Sequence, residues 1–556
     1  MKKINRFLYF FKKSFVSQKG MALLATLIFV FVLATLGIAL LTMTRNEIKL
    51  SVLQEESTKA FYLADAGIEK ALNWLETFST PPTQEDINAT NFNGEYEYSE
   101  LNTGKYTVKL SIDAGLGGLV ARYIIETEGV VTRPDNSRVS RKIENLVKVS
   151  NFAEYAYFSD DERFPNNSNI SGSTGPGGYA GSTIWFTGND TLGGKVHSNS
   201  QFHMVDVPTF LGKLTSTANN IDFWDNAYAE DGIDFPGFTP MGNYELGVDT
   251  ISLPQYRNIS DLDDEYSLQR IAGGSWEKSY IENLSDGVNV PSESGGVSGG
   301  IYIQGDANIE LNVDSSAGTA GPNSEITISQ LGNTTIITSV KQPITLPAGS
   351  YLNGILKPAG TDIPADTTLI KRPNGHYESY QGITNGLLFV DGSINELSGG
   401  NHKGKMTVVS TESINITGDL LYESRNSGTQ AGLDVNELDM SLIEDSLGLV
   451  AAKDVKIVSG PSDPWDIEID AIIMALNTSF FYDDWRDRLK GTLNLLGGLI
   501  QKERGPVGTH REGTKITGYS KNYNYDTRMA NPTAGYLPPY FPTTGQYEKV
   551  YWKEVY

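Results

Sequence analysis

From Gly20 to Thr44 the chain carries no charged residue, and Leu, Ile, Val, Phe and Ala dominate the run. At 1.5 Å per residue, a helix over Met21–Met43 spans roughly 35 Å, enough to cross a bilayer. After Arg45 the apolar positions narrow to a stripe: Ala60, Leu63, Ala64, Gly67, Ile68, Ala71, Leu72 and Leu75 recur at three- and four-residue spacing. Glu55, Glu56, Lys59, Asp65, Glu69, Lys70 and Glu76 fall largely on the opposite face, so this half reads as amphipathic. No Pro interrupts Met21 to Thr80, which predicts one helix of about 55 residues, roughly 80 Å long. Its first half (residues 21–44) is apolar all round, and the whole element is expected over 21–78.

Pro81-Pro82 ends that pattern. From Gly94 the period changes to two: Tyr106, Val108, Leu110 and Ile112 alternate with polar residues. Val120–Glu128 and Ser137–Val149 follow, the second after the turn Arg133-Pro134-Asp135-Asn136. Residues 94–150 therefore predict a small antiparallel sheet laid on the amphipathic half of the helix.

The remaining chain is rich in Gly, Asn, Ser and Thr, with short β-branched runs broken by Gly/Asp corners. Leu387-Leu388-Phe389-Val390-Asp391-Gly392, Met406-Thr407-Val408-Val409 and Ile467-Glu468-Ile469-Asp470-Ala471-Ile472-Ile473-Met474 are examples. This irregular repeat predicts a parallel β-helix over residues 151–518, with a β-sandwich as the alternative. Residues of about 225–300 and 313–381 read as long polar insertions. Residues 519–556 carry Tyr523, Tyr525, Tyr536, Tyr540, Phe541, Tyr547, Tyr551, Trp552 and Tyr556 among four Pro. They read either as an aromatic platform for a glycan or protein, or, preferred here, as a C-terminal cap over the open end of the solenoid. The fold class expected is thus an α+β module followed by a mainly-β domain.

Charge gives the helix a direction. Lys2, Lys3, Arg6, Lys12, Lys13 and Lys19 precede it with no acidic residue among them, which holds the N-terminus in the cytoplasm and exports the bulk of the chain. A cleaved secretory signal fits poorly, because the apolar run is too long and Thr42-Met43-Thr44-Arg45-Asn46 is a poor cleavage site. An uncleaved signal anchor and a leader of residues 1–20 both remain.

The junction Gln18-Lys19-Gly20-Met21, the apolar run and Lys59-Ala60-Phe61-Tyr62-Leu63-Ala64-Asp65-Ala66-Gly67-Ile68-Glu69 together resemble PilX-type type IV minor pilins and pseudopilins. The resemblance covers about the first 150 residues. It implies cleavage between Gly20 and Met21 by a prepilin peptidase, N-methylation of Met21, residence in the inner membrane, and other pilins or pseudopilins as partners. The chain departs from the family at Ala25, where most pilins carry Glu. A carboxylate in lipid needs a partner, such as the terminal amine of a neighbouring subunit, so Ala25 points to a minor or terminal subunit. Beyond residue 150 the chain resembles large bacterial proteins that join a pilin-like N-terminus to a Gly-rich β domain, which implies architecture and no activity.

Composition narrows the chemistry. The net charge of −23 deepens to −29 when the first 20 residues, with six basic groups and no acidic one, are removed. Such a surface argues against nucleic acid or anionic lipid as a partner of the exposed part. Cys is absent and His numbers five, which excludes disulfides, zinc-thiolate sites and a Cys nucleophile. No Asp-x-Asp-x-Asp-Gly loop is present, and no cofactor or metal is expected.

Asp463-Pro464-Trp465-Asp466 and Asp483-Asp484-Trp485-Arg486-Asp487-Arg488 place carboxylates beside Trp. Such pairs suit glycoside acid/base chemistry, with Trp465, Asp466, Asp484 and Trp485 as candidate carbohydrate contacts. The structural reading, solvated corners neutralised by Arg486 and Arg488, is the stronger one. His197 and His203 read as ordinary strand residues. The leading function is a minor pilin- or pseudopilin-like protein of a type IV pilus or type II secretion-like system. It would display its β domain at the cell envelope for assembly or adhesion, with a surface glycan or protein as the candidate ligand. The alternatives are a membrane-anchored polysaccharide lyase or glycoside hydrolase, and a signal-anchored envelope protein with no filament role.

Overall fold

The chain was analysed as a computed structural model that describes residues 18–78, 81–89, 94–97, 104–116, 119–133, 135–166, 170, 181–187, 190–205, 208–224, 244–314, 322–460, 464–511, 514–530 and 535–555. A single unbroken helix, α1 (Gln18–Leu75), opens it over 58 residues, a length of about 87 Å. It stops three residues before the predicted end, and Thr77 Oγ1 donates to the Trp74 carbonyl at 2.7 Å in the closing turn. A short helix, α2 (Gln84–Ala89), occupies a stretch that reads as polar linker. Thr83 and Asp86 start it reciprocally, the Thr83 N–H donating to Asp86 Oδ2 at 2.6 Å and the Asp86 N–H to Thr83 Oγ1 at 3.3 Å.

Strands β1 (Gly94–Glu97), β2 (Gly104–Leu116), β3 (Leu119–Thr132) and β4 (Arg138–Asn151) form an antiparallel meander. The sequence predicted this sheet; it did not predict its fifth strand. Thr543–Val555, at the far end of the chain, pairs antiparallel with β4 and completes the order β1-β2-β3-β4-C-terminal strand. The expectation of a cap over residues 519–556 gives way to a divided segment. Thr514–Tyr525 runs parallel to Leu489–Glu503, residues 535–542 lie along the outside of the β region, and the last strand returns to the head sheet. The reason is local: Tyr547 and Trp552 have apolar surface to bury, and they find it against Tyr123 and Phe61 (ring centroids 6.0 and 5.7 Å apart).

The large mainly-β region is therefore inserted between two neighbouring strands of one sheet. Where the chain leaves and returns, the crossing is stitched. Asn151 Nδ2 donates to the Phe541 carbonyl at 2.9 Å and the Phe152 N–H to the Pro542 carbonyl at 3.2 Å.

Within the region two parallel ladders run side by side, and the strands from Leu387 to Glu503 fall alternately into them. The first runs Ile301–Gln304, Leu387–Asp391, Lys405–Ser410, Ser446–Ala451, Ile467–Ala475, Leu489–Glu503, Tyr155–Asp161, Lys195–Ser198, Leu214–Ser216 and Tyr244–Leu246. The second runs Ala307–Asp314, Ile394–His402, Ile414–Tyr422, Val455–Ile457 and Phe480–Tyr482. Pairing in the first ladder aligns Ile301, Leu388, Val408, Leu449, Ile473, Leu499, Tyr157, Val196 and Leu214 in one column facing the interior core. The adjacent column of Tyr302, Phe389, Val409, Val450, Met474, Ile500 and Phe158 faces outward yet is also buried. Burial on both faces is why these strands read as continuous apolar runs rather than alternating ones.

Two chain segments cover that outer column. Short helices at Tyr256–Ser260, Leu268–Gly273 and Lys278–Ile281 contribute Ile259, Leu268, Ala272 and Ile281, and the C-terminal segment contributes Met529 and Phe541. The first stretch read as an insertion (225–300) thus includes a covering layer. The second (313–381) includes an antiparallel meander of Asn323–Gln330, Asn333–Val340, Thr367–Lys371 and Tyr377–Gln381. Thr and Ser alternating with Ile326, Ile328 and Ile337 made it look polar, although those Ile are buried.

Candidate functional site: the long apolar helix and its seat on the head

Among the described residues, one helix is long and apolar enough to cross a membrane. Leu23, Leu27, Phe29, Phe31, Ile38 and Leu41 are all exposed, on every side of α1. Its few hydroxyls are satisfied inside the helix: Thr26, Thr35, Thr42 and Thr44 donate to the carbonyls of Ala22, Val32, Ile38 and Leu40 at 3.0, 2.9, 2.7 and 2.9 Å. An apolar surface with no unpaired backbone or hydroxyl group suits hydrocarbon and is costly in water. Gly20, Met21 and Ala25 all lie within the helix, with no carboxylate between Gly20 and Thr44.

The C-terminal half sits on the head sheet through the residues the periodicity predicted: Ala60, Leu63, Ala64, Ile68, Ala71, Leu72 and Leu75 are buried against Tyr106, Val108, Leu110, Tyr123, Ile125 and Val147. The contact is close because small residues face each other. A Cβ at Gly129 would overlap the Ala60 carbonyl oxygen and lie 2.6 Å from the Ala64 nitrogen, and one at Gly67 would meet Thr127 Cγ2 at 3.0 Å. The Ala and Gly of residues 60–71 are thus what lets helix and sheet backbones approach. Arg133 Nε donates to Glu56 Oε2 at 2.5 Å, and Lys549 of the last strand pairs with Glu69 at 2.9 Å.

The junction between head and β region holds a ring of four charges. Glu154 meets Lys148 at 2.6 Å and Lys195 at 3.0 Å, and Glu548 meets Lys195 at 2.7 Å and Lys148 at 3.2 Å. Burial works to raise the Glu548 carboxyl, but Lys195 and Lys148 outweigh it and hold it down at about 2. Burial likewise opposes the charge on Lys195, and Glu154 and Glu548 keep it well above its ordinary value. Sequence spacing gave no hint of this ring, since its members come from β4, the first turn after it, a ladder strand and the C-terminal strand.

The four candidate carbohydrate contacts occupy different settings. Trp465 is exposed, whereas Trp485 is buried with its ring 5.4 Å from that of Phe164. Asp466 Oδ1 accepts the Thr492 N–H at 2.6 Å, and Asp484 pairs with Arg488 at 2.9 Å. Asp484 thus serves a local turn, and Asp466 ties the start of one ladder strand to its neighbour 26 residues on. Asp463 lies outside the described residues. His197 stacks on Phe158 in the outer column (5.1 Å, 26°), its ring nitrogens meeting Thr215 Oγ1 and Asn199 Oδ1 at 2.7 and 2.9 Å. His203 pairs with Asp222 at 2.9 Å.

Residues 120–218 match a family described as Domain of unknown function (DUF4900). That stretch runs from β3 and β4 of the head through the ladder strand Leu214–Ser216. No curated protein matches the chain. Among solved structures the chain is similar to the competence-associated pilin ComZ from Thermus thermophilus, at 12% identity over 90% of this chain and 97% of that one, with a TM-score of 0.29. A superposition at that score carries no argument, and the functional reading stands on the geometry of α1 and the head.

Proposed function

We propose that this is a minor pilin- or pseudopilin-like protein that displays its β region from a membrane-held helix at the cell envelope. The observation that carries the reading is α1 itself. One helix without a break has an all-round apolar half, and an amphipathic half seated on an antiparallel sheet through small residues. In this reading residues 1–20 are a leader removed by a prepilin peptidase after Gly20, Met21 becomes the N-methylated terminus, and residues 21–44 span the inner membrane. Ala25 in place of the usual carboxylate favours a terminal or low-copy position in a type IV pilus or a type II secretion-like assembly. The bulk of the chain is exported, and other pilins or pseudopilins are its partners.

The β region reads as a parallel β-helix rather than a β-sandwich. Alternation of the strands from Ile301–Gln304 and from Leu387 to Glu503 between two parallel ladders supports this, as do aligned side-chain columns along the stack. Mass spectrometry of the N-terminal peptide from native membranes tests the pilin reading. A mature chain starting at N-methylated Met21 is the expected result, and a terminus at Met1 would overturn it in favour of a plain signal anchor.

A further inference from the structure

A cavity of about 550 Å³ lies where the chain around Trp185 and Trp224 meets Trp485, residues 505–509 and residues 520–521. Its aromatic wall is graded. Trp485 is 5% exposed, Trp185 is half-buried, and Trp224, 71% exposed, meets Trp185 edge to face with centroids 5.3 Å apart at 84°. Beside this wall stand charges of both signs. Asp190 and Lys521 line the cavity 3.6 Å apart, and Asp190 also accepts the Thr187 N–H at 2.7 Å. The Arg486 guanidinium lies over the Trp485 ring, 5.7 Å from its centroid.

We propose that this cavity binds a glycan, with sugar rings packed on Trp224 and Trp185 and ring hydroxyls bonded to Asp190 and Lys521. A pyranose has an apolar C–H face and a rim of hydroxyls, so it covers an indole while supplying donors and acceptors to a carboxylate and an ammonium side by side. A purely apolar ligand would strip water from Asp190 and Lys521 and return no hydrogen bonds. A polyanion would meet Asp190 and a chain of net charge −23. The volume falls within the range of small-ligand sites, about 300–1,000 Å³. Trp465 and the carboxylates Asp466 and Asp484 do not line it, and Trp485 serves as its buried base.

The inference goes beyond the anchoring reading and does not depend on it, because binding is measured irrespective of where the N-terminus is cut. The test uses the full chain in detergent micelles on a glycan array, followed by calorimetric titration with the best-binding soluble oligosaccharide. Binding with Kd below about 1 mM is expected, with a loss of at least about tenfold for Trp224→Ala. Trp465→Ala, an exposed Trp outside the cavity, should bind as the unaltered chain does. Trp224 is exposed enough for its replacement to leave the fold intact, which an unchanged thermal midpoint checks; Trp185→Phe provides a second, milder variant, expected to bind more weakly. Absence of binding to any arrayed glycan, unchanged affinity in Trp224→Ala, or loss of binding in Trp465→Ala overturns the proposal.

Discussion

Replacing Gly129 by Ala tests whether the helix is seated as closely as the geometry requires. The new Cβ meets the Ala60 carbonyl oxygen, the Ala64 nitrogen at 2.6 Å and Leu63 Cβ at 2.9 Å. The first two are helix backbone, so no rotamer change relieves them, and α1 must lift from β3 over a full turn. Overpacking of this kind costs about 1–3 kcal/mol. Stiffening of the unfolded chain returns about 0.4–1 kcal/mol, which leaves a net loss of about 1–2 kcal/mol. Because the chain has two structural parts, the effect is best read locally, by hydrogen exchange with mass spectrometry on peptides covering 60–72. A loss of about 1–2 kcal/mol accelerates exchange there by roughly 5- to 30-fold, while peptides from 387–410 should not change. Gly418→Ala is the control, since its Cβ would meet only Ser398 Cβ at an ordinary 3.5 Å. Exchange over 60–72 within twofold of the unaltered chain, or an equal effect from the control, would refute the close seating of helix on sheet.

Three further outcomes follow from the head and its junction. Tyr123→Phe removes a buried hydroxyl that donates to the Pro82 carbonyl at 2.5 Å; chemical denaturation should show a loss of about 1 kcal/mol. Glu154→Gln removes the buried partner of Lys148 and Lys195 and leaves both lysines only Glu548, so a loss of about 1–3 kcal/mol is expected, seen as faster exchange in peptides covering 543–555. The folded pKa of Glu548, about 2, lies below its free value of about 4.3. Its contribution is therefore present above the free value and lost as pH falls through about 2. With 42% of the side chain exposed, that contribution is at most about 1 kcal/mol. Denaturation midpoints compared at about pH 5 and about pH 2.5 should converge between the unaltered chain and Glu548→Gln at the lower pH.

Local pattern carried the helix and three of the head strands, β2 to β4, into view, because each depends on neighbours within a few residues. The stripe Ala60–Leu75 matched the buried face residue for residue, since a 3.6-residue period leaves little freedom in which side faces the sheet. The fifth strand was invisible for the opposite reason: Trp552 faces Asn145 across more than 400 residues of chain, and no periodicity encodes a partner. Ladder order was hidden likewise. Leu499 and Tyr157 are neighbours in one column, yet each reads only as part of an apolar run. The candidate carboxylates were visible as pairs, but not the bonds that occupy them, one within a turn at Asp484 and one across to the next ladder strand at Asp466. Trp224, the most exposed aromatic of the cavity, stands in Asp222-Phe223-Trp224-Asp225 with no feature that sets it apart from Trp465.

The return of the last strand to the first sheet also bears on how the molecule would survive proteolytic damage. A protease that nicks one exposed loop of the β region separates the chain into two pieces, but each piece keeps a strand in the head: β4 on one, Thr543–Val555 on the other. Both fragments would remain joined to α1 and its sheet through the paired strands. The same arrangement delays the head, because its five-stranded sheet is complete only when the thirteen-residue strand Thr543–Val555 has been made and has paired with β4. A chain cut short before Thr543 would carry a bare β4 edge, so the stability of the sheet that seats α1 depends on a segment almost 400 residues further on.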